Sequence, residues 1–205
     1  MTRAWLILCV VGMSGSVAAA SIDTALLEQP WPKPWVHEYE VGRYPVRWRQ
    51  SAGAPQGVLA GVRFEAPLAR EAVWGLTTEY TDVGRMVPGV RAIRILQEGP
   101  NRKVIQVEVK VLWKELRLSF EIEQDPPRAI RFRLVNAGLG EFRGLVTLEE
   151  RPAAHPGQST GTVVELSMWL KTERPIPVKL LLLVERMSLL QGTRRFLEAC
   201  DAQRR

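Results

Sequence analysis

"PIPVKLLLLVERMSLLQGTRRFLEA", residues 175–199, reads as one long amphipathic helix. Apolar residues recur at Leu180, Leu183, Met187, Leu190 and Leu197. These spacings put them along one face of a 3.6-residue period. Pro175 and Pro177 sit at the start, where a missing backbone N–H costs little. Arg194 and Arg195 lie near the end, where cations suit the helix dipole. About 24 helical residues run roughly 36 Å. A helix that long and apolar requires a broad apolar surface to lie on.

The chain upstream supplies one. From residue 92 the hydrophobic period changes from 3.6 to 2. Ile105, Val107, Val109 and Val111 alternate with Gln106, Glu108 and Lys110. Leu116, Leu118, Phe120 and Ile122 alternate with Glu115, Arg117, Ser119 and Glu121. Further runs follow at Ile130, Phe132 and Leu134, at Phe142, Val146 and Leu148, and at Val164, Leu166, Met168 and Leu170. Turn residues separate them, among them Asp125-Pro126-Pro127. This pattern predicts an antiparallel meander with one apolar and one polar face. With residues 125–128 as a hairpin tip, Glu121 is expected opposite Arg131. Before the meander, residues 58–65 read as a strand and residues 69–82 as a helix with Val73, Leu76 and Tyr80 on one face. The fold class is therefore α+β: a curved antiparallel sheet against a long C-terminal helix.

The N-terminal part reads differently. Arg3 precedes an apolar stretch at 4–11, and small residues at 12–20 end in Ala18-Ala19-Ala20. This is the pattern of a secretory signal peptide cut after Ala20. Residues 21–56 form a Trp- and Pro-rich extension holding Trp31, Trp35 and Trp48; an edge strand is expected at 41–49, with Pro45 tolerated only at an edge. Its Trp residues are expected mostly to cover the outside of the core. The main domain is expected at 57–203. Cleavage leaves Cys200 as the sole cysteine, which excludes an intramolecular disulfide. The expected location is the bacterial periplasm or the medium.

With 205 residues, 46% hydrophobic and 24% charged, the chain is long enough for one domain with a real core. A formal charge of +6 and a pI near 9.7 favour anionic surfaces. The Arg and Lys residues are dispersed rather than clustered, so the expected contact is transient, with an anionic membrane surface, and not with nucleic acid.

Residues 64–96, "FEAPLAREAVWGLTTEYTDVGRMVPGVRAIRIL", resemble the opening of the START-like polyketide cyclase and lipid-transport (SRPBCC) superfamily. Ala66-Pro67 before the helix, Val73-Trp74, Tyr80 and Pro88-Gly89-Val90 carry the resemblance. "EFRGLVTLEE", residues 141–150, resembles the superfamily's strand that passes a Gly before an apolar stretch. The coenzyme Q-binding branch is the most similar. The resemblance covers about residues 57–202 and implies the helix-grip fold, with an apolar cavity between sheet and helix for a lipid, sterol, quinone or polyketide. An apolar pocket with few polar groups suits such a ligand. The expected ligand-binding residues are Tyr80, Val107, Val109, Leu118, Phe120, Phe132, Phe142, Val146, Leu166, Met168, Leu183 and Met187.

Motifs for other chemistry are weak. His37 and His155 are far apart and near no nucleophile in sequence, and no spacing suits zinc. No cofactor or metal is expected. The first reading is a non-enzymatic binder or carrier of a hydrophobic molecule. The alternatives are a cyclase-type enzyme on a polyketide-like substrate, and an envelope interaction protein with a filled core. For the enzyme, Tyr80, Arg85, Glu108, Trp113, Arg143 and Glu165 are the candidates; parity puts Glu108, Arg143 and Glu165 on the polar face and leaves Tyr80 pointing inward.

Overall fold

A computed structural model describes residues 21–28, 37–52, 57–111, 114–136, 140–151, 161–173 and 177–204. The expectations for residues 1–20, Trp31, Trp35, Trp113, His155 and the Leu180 side chain fall outside these.

Among the described residues, nine strands make one antiparallel sheet. They are β1 (His37–Val41), β2 (Tyr44–Ala52), β3 (Val58–Ala66), β4 (Val90–Glu98), β5 (Arg102–Val111), β6 (Lys114–Asp125), β7 (Ala129–Leu134), β8 (Glu141–Arg151) and β9 (Gly161–Lys171). The order across the sheet is β1-β2-β3-β9-β8-β7-β6-β5-β4. Helices α2 (Arg70–Thr78) and α3 (Tyr80–Met86) carry the chain from β3 to the far edge at β4. A last helix, α4 (Val178–Arg204), packs on β3 and α3. Its 27 residues span about 40 Å. This is the helix-grip layout that the sequence pattern implies.

The expected single helix at 69–82 is two. Glu79 leaves helical geometry at ψ 82°, and its N–H still bonds to the Gly75 carbonyl. The Thr77 and Thr78 hydroxyls both donate to the Trp74 carbonyl. Such back-bonding by threonine competes with helix propagation.

The N-terminal extension belongs to the sheet. β1 and β2 are joined across Gly42-Arg43, with Gly42 at φ 61°, a conformation that favours glycine. β1 is the edge strand, and β2 lies inside it, paired with β3 from Val46 onward. The expectation of an edge strand at 41–49 is corrected: Pro45 sits at the start of an interior strand, before the pairing with β3 begins. Nor does Trp48 cover the outside of the core; it is buried in the main core cluster, with His37 stacked on it at 4.7 Å.

The hairpin of β6 and β7 is in a different register from the one expected. Glu121 faces Arg133 and Glu123 faces Arg131. The turn takes in residues 126–128, so every partner moves by two. A shift of two keeps each side chain on its face, whereas a shift of one would invert them all. β4 carries two register irregularities, between Val90 and Ala92 and between Ile95 and Gln97.

On the convex side a short turn of helix, α1 (Ala25–Glu28), lies against β8 and β9. Leu27 packs with Leu59, Ala129, Leu145 and Trp169. Asp23 pairs with Arg143 at 2.9 Å, and Glu123 accepts from the Ser21 hydroxyl and the Ile22 N–H.

Candidate functional site: an apolar cavity beneath the C-terminal helix

The alternating strands put their apolar side chains on the concave face, and α3 and α4 roof it. Between them lies a cavity of about 400 Å³. Its floor includes Val107 and Val109 of β5, Leu118 and Phe120 of β6, Phe132 of β7, Phe142 and Val146 of β8, and Leu166 and Met168 of β9. Phe120, Phe132 and Phe142 form an aromatic trio with centroids 5.8–6.3 Å apart, Phe120 edge-on to both of the others. Gly144, directly across from Phe132, leaves room for that ring: a Cβ there would overlap it.

Among the described residues the polar side chains on the wall are Thr77, Tyr80, Ser188 and Thr193. Tyr80 opens α3 and is buried among Ile105, Val107, Ile122 and Ile130. Its hydroxyl accepts a hydrogen bond from Gln124 Nε2 at 2.7 Å. Burial raises its pKa to about 12, partly offset by that bond. Tyr80 therefore stays neutral and keeps its own proton to donate.

Ten of the twelve residues expected at the ligand line this cavity, Tyr80 among them. Leu183 and Met187 do not: each is 51% exposed. The buried stripe of α4 runs instead through Glu185, Leu189, Thr193, Phe196, Leu197 and Cys200. The helix is rotated from the face that its leucines suggest. Its cavity lining is Ser188, Leu189, Gly192, Thr193 and Phe196. Three of those five are small or polar, so hydrophobic periodicity passes over them. The wall also takes in Met86, Val87 and Val90 around the α3–β4 turn, where Pro88-Gly89 was the available signal.

The other polar candidates lie elsewhere. Glu108 pairs across the outer face with Arg117 at 3.5 Å and Arg94 at 3.6 Å. Glu165 joins Arg49 at 3.3 Å and Arg63 at 3.2 Å. Arg143 holds Asp23 and covers the Trp169 ring. Arg85 is exposed and pairs with Asp82. Among the described residues no group of three His, Cys, Asp or Glu side chains is placed to hold a metal ion. Cys200 is a free buried thiol whose pKa burial raises to about 12. No helix among the described residues is long and apolar enough to cross a membrane.

Solved structures share this architecture. The Zhui aromatase/cyclase from Streptomyces sp. R1128 superposes with a TM-score of 0.60 at 15% identity, over 77% of this chain and 96% of that one. A START superfamily protein from Mycobacterium smegmatis gives 0.58 at 9% identity, over 71% and 98%. A protein from Thermus thermophilus gives 0.57 at 19% identity, over 69% and 97%. At these identities the likeness speaks for the fold alone. No curated protein matches the chain in sequence. The sequence pattern of one family does match, over residues 66–197, from the end of β3 to the last turns of α4. The chain belongs to the polyketide cyclase / dehydrase and lipid transport family.

Proposed function

We propose that this protein binds or carries a hydrophobic small molecule, a lipid or an isoprenoid quinone, in the cavity beneath α4, without chemical change to it. The observation that carries the reading is a hollow of about 400 Å³ whose wall is almost wholly aliphatic and aromatic. That size lies within the usual range for small-molecule sites, and burial of apolar surface supplies the affinity. Among the described residues, the wall itself carries no carboxylate, imidazole or thiol. The filled-core alternative has no such volume to account for.

The enzymatic reading rests on one residue. Tyr80 presents a neutral hydroxyl inside the cavity, suited to holding a carbonyl oxygen of a polyketide-like substrate. Turnover would need a proton acceptor as well, and the described wall residues include none; the buried carboxyl of α4, Glu185, lies one turn before them.

The site of action proposed is the periplasm. Supporting this, the signal-like pattern ends at Ala20, and the next residues are built into the fold through Glu123. Transient contact with anionic membrane is the partner proposed. It is supported by the charge of +6 and by exposed Leu183, Val184 and Met187 on α4, close in sequence to Lys179 and Arg186. Salt-sensitive binding to anionic vesicles is the expected result.

The decisive experiment is lipid extraction and native mass spectrometry of protein purified from its native envelope. An apolar ligand in stoichiometric amount is expected. An empty protein that takes up neither phospholipid nor quinone would overturn the proposal.

A further inference from the structure

Glu185 is buried on α4, with 7% of its surface exposed, and neither carboxyl oxygen has a hydrogen-bond partner among the described residues. A buried ionisable group without a partner is costly, and an ordinary core does not retain one. Two donors close to it in sequence or across from α4 are committed elsewhere, while Trp48 Nε1 is buried without a hydrogen-bond partner among the described residues. Gln50 Nε2 donates to the Leu182 carbonyl at 2.7 Å. Arg186 donates to the Tyr39 hydroxyl and lies over the Trp48 ring at 5.0 Å.

Its position is not arbitrary. Ser188, Leu189, Gly192 and Thr193 follow Glu185 at three, four, seven and eight residues, the spacing of one helical face. Those four line the cavity. Glu185 is not itself on the cavity wall; it sits on the same helix face, one turn before the residues that line it. At Gly192 a Cβ would meet nothing within 4 Å, so the space alongside this stripe is open.

We propose that Glu185 is the polar recognition point of the cavity, its carboxyl hydrogen-bonding the oxygen of an otherwise apolar ligand that carries a carbonyl or hydroxyl group. Burial raises its pKa to about 8, so near neutral pH it is mostly protonated and can donate. This inference rests on the binding reading above and adds the ligand's chemical class: an oxygen-headed amphiphile rather than a plain hydrocarbon.

The test is displacement of the dye N-phenyl-1-naphthylamine from purified protein by dodecane, 2-dodecanone and 1-dodecanol. Glu185→Leu is expected to weaken 2-dodecanone and 1-dodecanol about tenfold, the worth of one hydrogen bond, while dodecane is unchanged. Glu185→Gln keeps an N–H donor and is expected to hold the polar pair within about threefold of wild type. Equal change for all three ligands, or none for the polar pair, overturns the inference while the cavity still binds. Wild-type protein that takes up neither dye nor any of the three removes the binding reading, and this inference with it. Melting curves of both variants confirm that each is folded.

Discussion

The concave face of this sheet has a dense half and a hollow half. In the dense half Val46, Trp48, Ala60 and Val73 meet Leu197 and Cys200 of α4. Phe64, edge-on to Phe196 at 5.8 Å, stands at the border, both rings also lining the cavity. In the hollow half β4 to β9 turn equally apolar side chains inward, but α4 offers Ser188, Gly192 and Thr193 beside Leu189 and Phe196 in return. Both halves obey the same period-2 rule. What separates them is side-chain volume on one helix: Leu197 and Cys200 close the core, while Ser188, Gly192 and Thr193 leave room between Leu189 and Phe196.

The difference can be broken or sharpened by substitution. The largest effect is expected in the dense half. Leu197 is 1% exposed, and Leu197→Ala should lower unfolding free energy by roughly 3–5 kcal/mol, read from urea denaturation. A loss below about 1 kcal/mol would mean that this half is not dense.

The next effect is a pH dependence from Glu185. Its carboxyl has an ordinary pKa of 4.5 when unfolded and about 8 when folded. Below about 4.5 both states are protonated and the stability is fully present. As pH rises, the unfolded state ionises first, so stability falls across the window from about 4.5 to 8 and then levels. Glu185→Leu should flatten that slope and gain on the order of 2–4 kcal/mol at pH 8. Parallel wild-type and variant curves would sink the idea.

In the hollow half a small-to-large change should be tolerated. Leu166→Trp in a filled core would cost roughly 1–3 kcal/mol. Here the expected cost is under about 1 kcal/mol, with ligand uptake lost instead. A large stability loss with uptake intact would reverse the assignment of the two halves. The smallest effect is at Gly192. With open space around its Cβ position, Gly192→Ala should gain about 1 kcal/mol from helix propensity alone.

These contrasts also mark what the sequence could reveal. Strand parity is read from alternation, and each inward residue on β5 to β9 follows from it without knowledge of register. The Glu121 pairing missed by two residues for that reason: the face was fixed, the turn was not. The helix was harder. Residues 180–184 read LLLLV, apolar all round, so no moment points inward. The stripe that does point inward includes Glu185, Ser188, Gly192 and Thr193, which a search for greasy periodicity rejects. A cavity wall is the place where that search misleads, since it is chosen for the space it leaves. β1 and β2 were obscured by Pro45 and the aromatic clutter around them, whose packing only tertiary contact reveals. Gly144 was visible as a glycine in a strand, but its reason, the Phe132 ring lying across it, was not.

The two irregularities in β4 have a consequence of their own. Among the described residues β4 is an outer margin of the sheet, with no strand paired on its far side, and it displays Ile95 and Leu96. A straight margin of that kind invites aggregation. Offsets at Val90/Ala92 and Ile95/Gln97 spoil its straightness at both ends, and Arg91 and Arg94 add like charges between them. A second copy laid alongside would find the ladder out of step.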